Sequence, residues 1–177
     1  MKRHERSLAR RCALQVLYQS EILNKPADQV VDEGLVPAEA GVDDYARMLI
    51  MGVSSHKSEL DRTIGESSQN WAIDRMPVVD RSVLRLAAFE MEYVDDVPVS
   101  VSINEAVELA KEFGGEDDSH RFVNGILGRI ARDSALERAV NAPIHGVSAA
   151  QSAPTDACAD GEAAEAADAV PADEASL

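Results

Sequence analysis

Val79-Asp-Arg-Ser-Val-Leu-Arg-Leu-Ala-Ala-Phe-Glu-Met91 decides the fold class of this chain. Its apolar residues, Val83, Leu84, Leu86, Ala87, Ala88, Phe89 and Met91, recur at helical rather than alternating intervals and cover most of a helix's circumference. A helix that is apolar nearly all round is buried among other elements instead of lying on a surface. The segment, with Asp80 read as its start, is the expected centre of a helical bundle.

The flanking sequence supplies the helices that would surround it. Toward the N-terminus, Trp71, Ile73 and Met76 lead into a turn at Pro77. Residues 42–54 and about 56–69 carry Tyr45, Leu49 and Val53, then Leu60 and Ile64, at helical spacing. Pro26 opens a short helix that Gly34 ends, in keeping with proline at a first turn and glycine past a last one. Residues 4–23 form the first helix, with Leu8, Cys12 and Val16 four apart. Toward the C-terminus, Pro98 breaks the chain, and Ser102 with Glu105 has the spacing of a capping box. Ile103, Ala106, Val107, Leu109, Ala110 and Phe113 follow, and Gly114-Gly115 ends that helix. Ser119 is placed to cap a last helix with the stripe Phe122, Val123, Ile126, Leu127 and Ile130. Gly125 and Gly128 within it cost roughly 1 kcal/mol each in propensity, which suggests a close-lying neighbour helix. The expectation is an all-α single compact bundle of about seven helices over residues 1–141. Residues 142–177, rich in Ala, Asp and Glu, are expected to form a disordered acidic tail, because they hold too little apolar surface to offset ordering.

The formal net charge of −15 argues at first against a nucleic-acid partner. Its distribution is more informative: residues 142–177 hold seven acids and no Lys or Arg, whereas residues 2–11 hold five Lys or Arg and one acid. Such polarity suits a molecule that offers one local patch to an anion and its acidic surface to something basic. The two cysteines, Cys12 and Cys158, are far apart and form no disulfide framework or zinc motif. The charged start, Met1 to Arg11, lacks the apolar stretch of a secretory signal, and no apolar run approaches the roughly 20 residues of a membrane span. These features lead to the expectation of a soluble cytoplasmic protein without a membrane partner.

Catalytic signatures are missing. There is no Walker loop, GxGxxG, HExxH or CxxC, and His4, His56, His120 and His145 have no ligand spacing. Phe113-Gly-Gly-Glu-Asp117 reads as a helix end, and Asp117-Asp118 as charges at a helix N-terminus rather than an acid–base pair. A non-enzymatic binder with no cofactor and no metal is expected. In the first helix, Arg3, Arg6 and Arg10 share a face, flanked by Lys2 and Arg11. Guanidinium groups engage phosphates and stack on bases, although spacing alone also permits an ordinary solvated face. Ser119-His-Arg-Phe122 is the second candidate: a helix N-terminus, a cation and rings able to stack a base, or else a core phenylalanine beside a surface arginine.

Several stretches together resemble the NusB family. These are Ala13-Leu-Gln-Val-Leu-Tyr-Gln19 after an Arg-rich start, Val79-Asp-Arg-Ser-Val-Leu-Arg-Leu86, Pro98, Ile103-Asn-Glu-Ala-Val-Glu-Leu-Ala-Lys111 and Phe122-Val-Asn-Gly-Ile-Leu-Gly128. They occur in register, and the resemblance covers about residues 3–132. It implies the all-α NusB fold and a factor of transcription antitermination. Such a factor binds boxA RNA of ribosomal RNA leaders with NusE, a basic small-subunit ribosomal protein, within an RNA polymerase antitermination complex. The resemblance implies an RNA surface at Arg6 and Arg10 with Lys2, Arg3 and Arg11, a second RNA surface at Asp118, His120, Arg121 and Phe122, and a NusE surface at Tyr18, Asp74 and Asp80. Ser7 and Leu8 stand where many relatives carry further arginines. Rival readings are a protein–protein adaptor or homodimer that does not itself bind RNA, and a separated NusB-like domain of an RNA methyltransferase.

Overall fold

The computed structural model describes residues 3–35, 42–68, 71–115 and 118–141, with side chains between residues 4 and 135. The chain divides into two units, residues 1–142 and 143–177. All described residues belong to the first, so the expectation of a disordered tail lies outside them. The helices are α1 (Arg3–Leu23), α2 (Ala27–Asp32), α3 (Asp44–Ser55), α4 (Lys57–Ser67), α5 (Val78–Tyr93), α6 (Val99–Phe113) and α7 (Ser119–Asn141), with a 3₁₀ turn at Ile73–Arg75. The described residues contain no strand.

Helix α5 is the centre, as its composition requires. Every residue from Ser82 to Glu90 is buried, and α1, α3, α4, α6 and α7 pack around it. Val16, Leu49, Ile50, Leu60, Ile64, Leu84, Val123 and Leu127 are essentially inaccessible to solvent. Each such side chain contributes about 1.5–3 kcal/mol of apolar burial. Prolines set three of the starts: Pro26, Pro77 and Pro98 precede α2, α5 and α6, with φ between −50° and −59°. Past α2, Gly34 adopts φ 64°, a conformation that glycine takes without steric cost. Asp43 caps α3 by accepting the Ala46 N–H at 2.7 Å.

Four local expectations need correction. Helix α6 starts at Val99, so Ser102 and Glu105 form no capping box; Glu105 instead accepts from the Ser7 hydroxyl at 2.6 Å. Helix α5 starts at Val78, which puts Asp80 inside the first turn and not at its head. The first intrahelical bonds of α7 go to the Asp118 carbonyl, from the Arg121 and Phe122 N–H groups. The Ser119 hydroxyl is therefore free to donate to the Asp80 carboxylate, at 3.1 Å. Finally, Gly125 and Gly128 face no neighbouring helix: a methyl group at Gly125 would meet nothing within 4 Å, and one at Gly128 only the Arg132 guanidinium at 3.7 Å. Close approaches occur instead at Gly52, where a methyl group would lie 2.0 Å from the Phe89 ring, and at Gly114, where one would lie 2.7 Å from the Ser119 side chain.

Candidate nucleic-acid and partner interface

Helix α1 carries the arginines, and its neighbours decide what each one faces. The Arg6 and Arg10 guanidinium groups lie 5.0 and 5.8 Å from the centroid of the Tyr45 ring, so they do share a face. That face is turned toward the bundle. Arg10 is 3 % exposed; its guanidinium contacts Glu90 at 2.8 Å and Glu105 at 3.3 Å. Tyr45 donates its hydroxyl to the same Glu90 carboxylate. Burial, then this bond to Glu90, pushes the Tyr45 phenol well above its ordinary range. Arg10, expected at a phosphate, thus has its charge matched inside the protein and joins α1 to α5 and α6.

The other cations of α1 are nearer to water. Arg6 is half-buried and paired with Asp96, whose hydrogen bond keeps the guanidinium firmly charged. Arg11 pairs with Glu112 at 2.6 Å, with both side chains more than 40 % exposed, and lies over the Phe113 ring at 5.8 Å. Exposed pairs of this kind hold weakly in water and are open to exchange with a competing anion. Lys2 and the Arg3 side chain lie outside the described residues.

At the start of α7, Arg121 pairs with Asp118 at 2.8 Å, both about 75 % exposed, while His120 and Phe122 are half-buried. Phe122 packs against Trp71, with ring centroids 5.9 Å apart and the planes at 60°. The NusE-type positions are less alike than their acidity suggests. Tyr18 is half-buried and lines a shallow apolar depression of about 230 Å³ with Leu14, Gln15, Val79 and Phe113. Asp74 is exposed on the 3₁₀ turn. Asp80 is 3 % exposed and engaged by Ser119, so it fixes the start of α5 to the start of α7 and presents no open carboxylate. This corrects the expectation of Asp80 as a surface contact.

Sequence reasoning passed over Trp71 as a site residue and read it only as an approach to a turn. It also overlooked the buried partners of Arg10, although Glu90 within an otherwise apolar helix was a signal: a carboxylate there demands a counter-ion.

No group of three or more His, Cys, Asp or Glu side chains among the described residues is placed to hold a metal ion, and none of the described helices is long and apolar enough to cross a membrane. An all-helical bundle with cations along its first helix and a cation–aromatic cluster at the start of its last defines a helical binding protein. The model of the NusB family matches residues 7–132, and the chain belongs to that family. It is 44 % identical over 130 residues to the transcription antitermination protein NusB of Geobacillus kaustophilus, spanning 73 % of this chain and 95 % of that protein. The Bacillus subtilis protein of the same name is 43 % identical over 129 residues, spanning 73 % and 96 %. Among solved structures, T. maritima NusB superposes with a TM-score of 0.65 at 35 % identity, over 72 % of this chain and 91 % of that one. A chain from the crystal structure of antitermination factors NusB and NusE in complex with dsRNA superposes with a TM-score of 0.63 at 26 % identity, over 75 % and 99 %.

Proposed function

We propose that this protein is a transcription antitermination factor that binds boxA-type RNA of ribosomal RNA leaders together with NusE, as a non-enzymatic cytoplasmic adaptor of the RNA polymerase antitermination complex. The observation that carries this reading is the near-complete span of the relatives: the chain covers 95 % of an antitermination protein at 44 % identity, leaving little of that protein without a counterpart. The structural neighbour solved with NusE and RNA supports the choice of partners. The local geometry supports an RNA surface made of Arg6, Arg11, Asp118, His120, Arg121 and Phe122 and a NusE surface around Tyr18 and Asp74, and the family resemblance alone adds Lys2 and Arg3 to the first.

One observation favours a partner-dependent form of this reading. Arg10 is buried, and Arg6, Arg11 and Arg121 each share their charge with an acid of the same chain. Phosphates must displace those acids, so RNA binds weakly to the protein alone and more tightly once a basic partner is present. Titration of a labelled boxA oligonucleotide by anisotropy, at several salt concentrations and with or without NusE, tests both parts. Binding that strengthens with NusE and weakens with salt is the expected result. An RNA that binds under neither condition would overturn the reading.

A further inference from the structure

We propose that the groove between Trp71 and α7 is a subsite for one unpaired RNA base, with Trp71 as its stacking surface and Arg121 and Arg129 as its phosphate contacts. The inference rests on the RNA-binding reading above and adds residues to it. Ser67, Trp71, Arg121, Phe122, Gly125 and Arg129 line an open groove of about 360 Å³, within the size range of small-ligand sites. Trp71 is 51 % exposed and is the chain's single tryptophan. Its ring is braced by the tilted contact with Phe122, which holds the indole while about half its surface stays open.

The α7 wall is suited to a nucleotide. Gly125 adds no side chain to it, and a methyl group there would have no neighbour within 4 Å. Arg121 and Arg129, eight residues apart on one helix, are separated by about 12 Å along the axis, so they flank the groove from two turns. Among the described residues Arg121 is held by the exposed pair with Asp118, and Arg129 donates at 3.3 Å to the Ser67 carbonyl, which keeps its charge beside the groove without neutralising it. An apolar protein segment would gain nothing from two guanidinium groups at its margins. A base with its adjoining phosphates uses both the ring and the charges.

The single tryptophan makes the test direct. A single-stranded boxA oligonucleotide is titrated into the full chain, alone and with NusE. Binding is followed by anisotropy of a label on the RNA, and stacking by quenching of the Trp71 emission. The expected result is quenching that saturates with the anisotropy signal. Trp71→Ala should weaken binding about five- to hundredfold with little change in salt dependence, and Trp71→Phe should retain most of the affinity. Arg129→Gln should instead reduce the slope of log affinity against log salt by about 0.7. Melting curves of each variant check that the fold is intact. If RNA binds without quenching and Trp71→Ala binds like the parent, the subsite is overturned while the RNA-binding reading survives. Quenching by NusE alone, unaffected by RNA, would assign the groove to a protein and overturn the proposal. Absence of RNA binding under both conditions would remove the reading beneath it as well.

Discussion

Arg10 and Arg11 are adjacent in the chain, yet about 100° of helix rotation separates them, and that rotation gives them different physics. Arg10 enters the interior, where Glu90 and Glu105 match its charge; Arg11 stays at the surface, bound to Glu112. Removing one partner of a buried pair leaves the other charge uncompensated. Arg10→Ala is therefore expected to destabilise the fold by roughly 3–5 kcal/mol in urea unfolding. The salt slope of RNA binding by its folded fraction should stay that of the parent; a loss below about 1 kcal/mol together with a flatter slope would return Arg10 to the RNA surface. The pairs nearer to water behave in the opposite way. Asp96→Asn and Glu112→Gln free Arg6 and Arg11 and should change stability by less than about 1 kcal/mol. Together they should raise RNA affinity at low salt and steepen the salt slope by up to about 0.7 for each cation released. Identical affinity and slope in the double variant would place Arg6 and Arg11 away from the RNA.

Between elements, two contacts around α5 invite measurement. Gly52 on α3 leaves room for the Phe89 ring, which is itself buried, so Gly52→Ala forces the ring or the helix to move. Overpacking of this kind costs about 1–3 kcal/mol, and a melting temperature equal to the parent's would show that α3 yields freely. On the other side, Glu21 at the end of α1 meets Arg81 at 3.0 Å and Arg85 at 2.8 Å, while Arg85 also binds Asp61 at 2.6 Å. Burial by itself raises the Glu21 pKa, but the hydrogen bonds and charges of Arg85 and Arg81 outweigh it, and the carboxyl titrates below its ordinary 4.5. A depressed folded-state pKa contributes stability that is present above the unfolded value and lost as pH falls through the folded one. Unfolding free energy should thus decline below about pH 4.5, and Glu21→Gln should flatten that decline; an unchanged acid limb would remove Glu21 as its source. The central helix and the proline-led starts were legible in sequence because apolar coverage and a missing N–H act locally. Ser102 and Asp80 misled because a polar side chain near a proline resembles a cap, and only the helices packed beside it show which group it meets. The inward turn of Arg10 depends on Glu90, 80 residues away, and the exposure of Trp71 on its packing against Phe122, so neither was contained in the local period of its own segment.

At the scale of the molecule the question is how a chain of net charge −15 approaches a polyanion. Seven of its 32 acids lie in residues 142–177, which contain no Lys or Arg, so a chain ending at Ala142 has a net charge of −8. The last described helix runs to Asn141, and truncation after Ala142 removes none of the described helices. The melting temperature should therefore stay that of the full chain. RNA binding should change, because seven acids on the same chain add to the negative potential that a polyanion meets. The truncated chain is expected to bind boxA RNA more tightly and associate faster at 50 mM salt, where the Debye length exceeds about 10 Å. The two forms should converge near 1 M salt, where that length is about 3 Å and distant charges no longer act. A general charge effect is distinguishable from a specific contact by restoring the segment with its seven acids changed to Asn or Gln. If charge is the cause, this neutral form matches the truncated chain at every salt concentration. If it instead matches the full chain, the segment acts through contacts unrelated to its acidity. Equal RNA affinity of all three forms at low salt would mean that the residues after Ala142 do not influence the arginine surfaces.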